Sequence, residues 1–377
     1  MNPQSVIEPN RQRILAAVAR GEAAPFAIES LELDAPRRDE VLVRIVGVGL
    51  CHTDLVGAAG ELPIALPAVF GHEGAGIVEA VGAGVPDFSR GDAVVISFRS
   101  CGRCRRCGTH EPAYCLEGAG LNYAGRRPDG SATHFDADGP IAASFFGQSS
   151  FATHSLAYAD NLVRLPPEMP VEIAGPLGCS VQTGVGAVLR SLDCRPGSAL
   201  LVLGGGAVGL SSVIGAAHRG CSRICVVEPH AARRELALEL GATEVADPSS
   251  DPSLKSLRKG GGFDYAIDTT GRPDVLNAAA RLLDSRGSFG FLAIPSPEHS
   301  AAPLPANLSQ LMYRGLNFRG ILEGDSEPQQ FIPELCRLYA EGRLPFDRMI
   351  RRYSLAQINE AIADQAQGRC VKAVLNP

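Results

Sequence analysis

The sequence has no run of 18 uninterrupted apolar residues; its longest candidates are broken by Gly, His, Arg or Pro within a dozen positions. That argues against a membrane-spanning helix. It also has no long basic run, and its formal net charge is −6, which speaks against a nucleic-acid surface. The opening segment MNPQSVIEPNRQR has no apolar core before a small-residue cleavage site. No secretory leader is read there, and a cytoplasmic location is expected. No internal repeat is visible. What is present is a chain of 377 residues, 45% hydrophobic and 20% charged. This is a globular rather than a disordered composition, at a length that predicts two domains.

Cysteine, by contrast, is plentiful. Eleven are present, an odd total that suits no fully paired disulfide framework. In a long chain without a leader, metal binding is the better reading.

Residues 13–100 read as short β-runs, among them VLVRIVGVGL at 41–50, GIVEAVG at 76–82 and DAVVIS at 92–97. Gly, Pro and Asp cluster between them, which predicts an all-β or barrel-like beginning. Over 99–150 the periodicity fades and four cysteines gather, so a loop-rich lobe in need of a staple is expected. From about 181 the pattern alternates: strand 198–205, helix 207–220, strand 223–228, helix 231–242, strand 263–271, helix 275–283, strand 288–294. Short connections between alternating strands and helices predict a doubly wound parallel sheet. The tail from about 322 reads as helical and ends in a short strand, VKAVL.

Three constellations carry chemistry. The first is Gly204-Gly205-Gly206-Ala207-Val208-Gly209, a G-x-G-x-x-G turn that follows a strand and opens a helix. Gly204 permits the tight turn, Gly206 lets backbone approach a pyrophosphate, and Gly209 lets helix pack on strand. Glu228 ends the next strand, where a carboxylate can accept from ribose hydroxyls. A bare glycine match is usually only a turn; this context makes it a dinucleotide site.

The second is Cys101-x2-Cys104-x2-Cys107-x7-Cys115. Four thiolates at this spacing can close a tetrahedral zinc site and order a lobe with little core of its own. An iron–sulfur cluster also takes four thiolates, but the common bacterial ending C-x3-C-P is missing. A chance cluster of free cysteines is the bland alternative. The third is scattered: Cys51-His52-Thr53-Asp54, Gly71-His72-Glu73 and Gly178-Cys179. Singly, each His or Cys reads better as a core or surface residue. Together they supply two thiolates and an imidazole, the set of a catalytic zinc with one position open.

On these motifs the chain resembles the zinc-containing medium-chain alcohol dehydrogenases along its whole length. The family's zinc signature is matched by Gly71-His72-Glu73 with Gly76, Gly82 and Val85. Within the family it is most similar to the bacterial aryl-alcohol (benzyl alcohol) dehydrogenases. The segments Pro112–Cys115, Ser144–Thr153, Gly175–Cys179 and Phe331–Leu335 carry that closer likeness.

The resemblance implies an α/β fold: a GroES-like β-barrel catalytic domain over 1–180 with a structural zinc lobe at 99–116. A doubly wound (Rossmann) NAD-binding domain follows over 181–321, and 322–377 return to the catalytic domain. It implies two Zn2+ per chain. Cys51, His72 and Cys179 would hold the catalytic ion, with Glu73 behind it as an occasional ligand, and Cys101, Cys104, Cys107 and Cys115 the structural one. Asp54 would fix the His72 tautomer, and Thr53 would begin a proton relay. His52, Arg233 and Lys372 match positions that contact the cofactor phosphates and ribose, while Thr183 and Val208 match positions near the nicotinamide.

The implied activity is reversible, zinc- and NAD-dependent oxidation of a primary aromatic or allylic alcohol to the aldehyde, by a cytoplasmic homodimer or homotetramer with no nucleic-acid or membrane partner. One departure matters. Many members place a relay histidine four residues after the position of His52, and here Val56 stands there; either His52 or water takes the outer step. Two rival readings exist. A thiol-dependent formaldehyde dehydrogenase of the same family would act on formaldehyde only with added thiol. A non-catalytic zinc- and nucleotide-binding protein would hold one zinc per chain or lack a catalytic ligand.

Overall fold

The computed structural model describes residues 11–377. The first ten residues, on which the expectation of no secretory leader mainly rests, lie outside the described residues. Strand Glu40–Gly49 is buried along almost its whole length, because three strands lie against its two edges. Gly74–Val81 pairs with it along one side, and His154–Tyr158 and Lys372–Asn376 take the two halves of the other, all antiparallel. Register shifts at Leu42/Val43 and Ile45/Gly47 bend the strand in the manner of β-bulges. A second sheet runs through Gln12–Ala19 and Ala27–Leu33. Val18, Leu31, Val43, Ile45 and Phe70 join the two sheets in one apolar core. This is the GroES-like half.

Six parallel strands form the other half, in the order Glu244–Ala246, Arg223–Val227, Ala199–Leu203, Phe263–Asp268, Leu283–Phe291, Asn317–Gly320. Leu200, Leu201, Val202 and Leu203 are all fully buried, since separate apolar cores cover the two faces. The strand order reverses between Ala199–Leu203 and Phe263–Asp268, so the crevice for a ligand opens at their carboxyl ends. Helix Ala207–Arg219 ends on Gly220 at φ 82, a left-handed cap that suits glycine.

Several bounds differ from the sequence reading for local reasons. The strand expected to reach 271 stops at Asp268, whose carboxylate accepts from the N–H groups of Thr270 and Gly271 and folds the chain into a turn. The helix expected to 242 ends at Glu239, just before Gly241 at φ 112. A helix, His52–Ala58, interrupts the region read as all β. The lobe read as irregular holds short helices at Arg105–Gly108 and Gly118–Tyr123. In the tail, helix Pro328–Ala340 packs into the core that also takes Val181 and Val185. Strand Lys372–Asn376 then returns to Glu40–Gly49. Among the described residues no helix is long and apolar enough to cross a membrane.

Candidate active site

The helix His52–Ala58 begins because Asp54 reaches back: its Oδ2 accepts from the Cys51 N–H at 3.0 Å. The same carboxylate accepts through Oδ1 from the Gly71 N–H at 3.0 Å and lies 2.8 Å from His72 Nδ1. One buried carboxylate therefore ties the start of this helix to the turn carrying His72. Phe146 stacks on the His72 ring at 4.5 Å between centroids, and Phe145 meets it edge-on at 5.5 Å. With Nδ1 taken, His72 Nε2 is buried and has no hydrogen-bond partner.

That orphaned nitrogen belongs to a cluster. One donor atom each from Cys51, His72, Glu73 and Cys179 lies within 4.8 Å of the other three. Two soft thiolates and an imidazole, with a carboxylate behind them, fit a zinc ion. The cluster is electrically tense as a set of protein groups. Hydrogen bonding to Cys179 and the nearby His72 hold the Cys51 thiol well below its usual range, while the bond with Cys51 and burial push Cys179 well above it. Glu73 is fully buried, pairs with Lys372 Nζ at 2.6 Å, and accepts from the Ser180 N–H at 3.2 Å.

Cys101, Cys104, Cys107 and Cys115 form the other cluster, again with all donor atoms within 4.8 Å. The N–H of Cys104 points at Cys101 Sγ at 3.3 Å, and the N–H of Cys101 at Cys115 Sγ at 3.2 Å. Backbone N–H groups of Cys107 and Leu116 bring the Cys104 thiol down to about 6. These are bonds that stabilise thiolate, the form a metal requires. Among residues 101–116 only Cys115 is buried, so the lobe has no apolar core to hold it otherwise.

The glycine turn faces the first cluster across a cleft of about 440 Å³ lined by Cys51, His52, Ser180, Gly206, Val208 and Lys372, among others. Gly204 has φ 97, and a Cβ at Gly209 would lie 2.0 Å from the Gly204 carbonyl oxygen; both positions require glycine. A Cβ at Gly206 would instead project into open space, room that a pyrophosphate against the helix N-terminus would fill. Glu228 is 3% exposed. Its two oxygens accept from the N–H groups of Gly205 at 2.7 Å and His230 at 2.9 Å. Arg233 reaches across to the carbonyls of Gln365 and Cys370, and lines the cleft on both sides of the glycine turn.

The remaining candidates are placed as follows. Thr53 Oγ1 lies 3.9 Å from Cys51 Sγ. His52 is exposed; it lines this cleft and, with Val56, a second pocket. Thr183 sits on helix Ser180–Gly186, one residue before Gly184, where a Cβ would meet the Val208 carbonyl oxygen at 2.2 Å. Lys372 contacts the carbonyl oxygen of Leu50 as well as Glu73, so it is engaged at the metal cluster. Phe145 and Phe151 are fully buried core rings rather than cavity walls, and Phe151 packs edge-on against Phe26.

Sequence reasoning missed one acidic residue here. Glu323 approaches Cys179 Sγ at 3.8 Å and Thr183 Oγ1 at 3.4 Å, and burial raises its carboxyl to about 7. The available signal was a carboxylate beside glycine just past the last parallel strand, the end at which such sheets bind ligands.

Comparisons agree with this geometry. Residues 37–167 match the alcohol dehydrogenase GroES-like domain family, and residues 207–341 match the zinc-binding dehydrogenase family. The chain is 46% identical over 364 residues to a geraniol dehydrogenase of Castellaniella defragrans, with 96% of each chain covered. A crystal structure of an alcohol dehydrogenase zinc-binding domain protein from Burkholderia ambifaria superposes with a TM-score of 0.93 at 44% identity, covering 97% of this chain and 99% of that one. Benzyl alcohol dehydrogenase from Acinetobacter calcoaceticus superposes at 0.91 and 38% identity, with the same coverage. Fold and clusters thus define a two-domain zinc-binding dehydrogenase. The chain belongs to the zinc-type medium-chain alcohol dehydrogenase family, and it is an alcohol dehydrogenase.

Proposed function

We propose that the enzyme oxidises a primary aromatic or allylic alcohol to the aldehyde, reversibly, with two zinc ions per chain and NAD. The observation that carries this is the convergence of Cys51, His72 and Cys179 on a partnerless His72 Nε2, beside a cleft that begins at the glycine turn. When bound, the metal supplies Lewis acidity and the dinucleotide a hydride acceptor. The chain's own residues orient and move protons. Asp54 holds His72 in the tautomer that leaves Nε2 free. Thr53 Oγ1 accepts the proton of the substrate hydroxyl and passes it outward to His52 or to water, because Val56 has no group to carry it. The backbone around Gly206 cradles the pyrophosphate, and Glu228 faces the adenosine ribose. In this reading 1–180 and 322–377 form the catalytic half and 181–321 the cofactor half of a cytoplasmic homodimer or homotetramer.

The substrate class rests on relatives named for geraniol and benzyl alcohol, both primary alcohols with an unsaturated carbon beside the carbinol. A panel of benzyl, cinnamyl, geranyl, butyl and ethyl alcohols with NAD tests it. The first three are expected to give the higher kcat/KM. Comparable values for ethanol and benzyl alcohol would sink the substrate assignment while leaving the enzyme class intact, and formaldehyde oxidation that appears only with added thiol would replace it.

A further inference from the structure

The four-cysteine lobe is tied to the other half of the molecule. Two of its side chains reach segment 320–327, which follows the last parallel strand. His110 Nδ1 lies 3.0 Å from Glu327 Oε1 at the surface. Tyr114 is half-buried and makes more contacts. Its hydroxyl donates to Asp325 Oδ1 at 2.7 Å, accepts from the Leu322 N–H at 3.2 Å and lies 3.3 Å from the Gly320 carbonyl oxygen. Tyr114 immediately precedes Cys115, whose Sγ accepts from the Cys101 N–H, so the geometry of the thiolate cluster places the phenol.

What the phenol clamps is a turn that would not hold by itself. Glu323, Gly324 and Asp325 have φ of 51°, 64° and 51°, three successive residues in a region that non-glycine residues avoid. Such strain persists only where the surroundings impose it. One restraint is the pair of Tyr114 bonds; another is Arg319, which joins Asp325 to the Ser191 carbonyl.

The far side of the turn packs backbone to backbone on helix Ser180–Gly186. A Cβ at Gly324 would lie 2.6 Å from the Gln182 carbonyl oxygen, and one at Gly186 would lie 2.5 Å from the Gly324 carbonyl oxygen. Ser326 Oγ donates to Gln182 Oε1 at 2.9 Å, and Gln182 Nε2 donates to Ser97 Oγ at 2.8 Å and to the Gly178 carbonyl. Ser97, Gln182 and Ser326 are all fully buried. The helix begins at Cys179. An unbroken series of contacts therefore runs from Cys115 to Cys179, one donor of each cluster, and close packing at both glycines leaves the turn no room to move without the helix. We propose that Tyr114 is a positioning residue that couples the two clusters. Through it, the order of the four-cysteine lobe sets the geometry of Cys51, His72 and Cys179, and loss of the lobe's metal loosens the other ion. Coupling of this kind travels through packed side chains and hydrogen bonds. The inference rests on the proposed zinc at both clusters.

The test uses the purified, zinc-loaded full chain and follows zinc release to excess chelator. Cys51→Ser, which should keep only the lobe's ion, is the reference for that ion. In Tyr114→Phe the ion at Cys51, His72 and Cys179 is expected to leave about tenfold faster, the scale of a lost hydrogen bond to a charged group. The lobe's own ion, read from Tyr114→Phe in the Cys51→Ser background, should change by less than about twofold. Cobalt(II) loaded at the first cluster should show shifted visible bands in Tyr114→Phe, which a loss of stability alone does not produce. Cys104→Ser should also speed release from the first cluster, and Tyr114→Phe should add less than about twofold to it, because both break one path. Asp325→Asn weakens the same bond from its other end and should act in the same direction by less. It carries the test if either of the other variants does not fold. Unchanged release at the first cluster, equal acceleration of both ions, unshifted bands, or effects that multiply in the double variant overturn the proposal. If the unmutated enzyme holds no zinc at either cluster, the metal assignment itself fails.

Discussion

Asp54 Oδ1 and His72 Nδ1 stand 2.8 Å apart, with both side chains almost fully buried. The pair fixes which imidazole nitrogen is free, and burial prevents water from replacing Asp54. Asp54→Asn keeps the shape but weakens the acceptor that orients His72. Loss of such a supporting bond typically costs 10–100-fold, that is about 1.4–2.8 kcal/mol, in metal affinity. Zinc release to a chelator should accordingly show one ion lost readily and one retained. Unchanged release of both ions would mean that His72 is held by its Phe145 and Phe146 neighbours alone.

The two clusters should fail differently. Cys51 and Cys179 sit at the starts of helices packed into large cores, so Cys51→Ser or Cys179→Ser should lose one zinc and turnover while keeping the fold. Cys104 belongs to a lobe with almost no buried residues, where metal binding is itself folding free energy. Cys104→Ser should lower Tm by roughly 5 °C or more or disrupt assembly. Metal analysis paired with thermal unfolding decides it, and the reverse pattern would mean that the catalytic and structural roles are exchanged.

Much of this was legible in the chain, and the exceptions have physical causes. Strands such as 199–203 announce themselves because both faces are covered and the sequence is continuously apolar. Cysteine spacing shows the four-thiolate lobe because its ligands are local. The helix His52–Ala58 escaped because seven residues are too few for a 3.6-residue period to register. Glu323 escaped because its partners, Cys179 and Thr183, lie about 140 positions away and no local pattern marks them. Phe145 and Phe151 are fully buried core rings, which apolar character alone could not distinguish from pocket walls.

His134 offers a pH test away from the metal clusters. Its side chain is fully buried, Nδ1 meets Thr133 Oγ1 at 2.9 Å, and Nε2 has no partner. Burial, helped by the positive charge of Arg127, drops its pKa to about 3. The unfolded chain, at about 6.5, therefore binds one more proton than the folded one between roughly pH 3 and 6.5, so stability rises with pH across that window and is level above it. His134→Asn removes the titrating group and should make the acid limb shallower, by up to about 1.4 kcal/mol per pH unit. Carboxylates contribute equally to both proteins and cancel in the comparison. Denaturant midpoints measured at pH 4, 5, 6 and 7 give the difference; parallel curves would show that His134 takes up its proton equally in the folded and the unfolded chain.

Glu228 should decide between NAD and NADP. Its carboxylate cannot swing aside, because one oxygen accepts from Gly205 N–H and the other from His230 N–H. A 2′-phosphate brought to the ribose site would meet this fixed negative charge. At about 4 Å and a surface-like dielectric the repulsion is roughly 4 kcal/mol per unit charge, reduced by salt. Half of that is still a factor of about 30 in binding. Arg233 lines the same cleft and could offset the charge, but its guanidinium is engaged by the carbonyls of Gln365 and Cys370. We therefore expect NAD to be preferred over NADP by at least about tenfold in kcat/KM. Glu228→Ala should relax the preference, but it also strips two N–H groups of the acceptor that shapes the glycine turn, so part of its effect will be a general loss of binding. Glu228→Gln removes the charge and keeps an acceptor oxygen, and should raise kcat/KM for NADP relative to NAD with less damage. If the unmutated enzyme uses both cofactors equally, or if Glu228→Gln leaves their ratio unchanged, the carboxylate is a brace for the turn and nothing more.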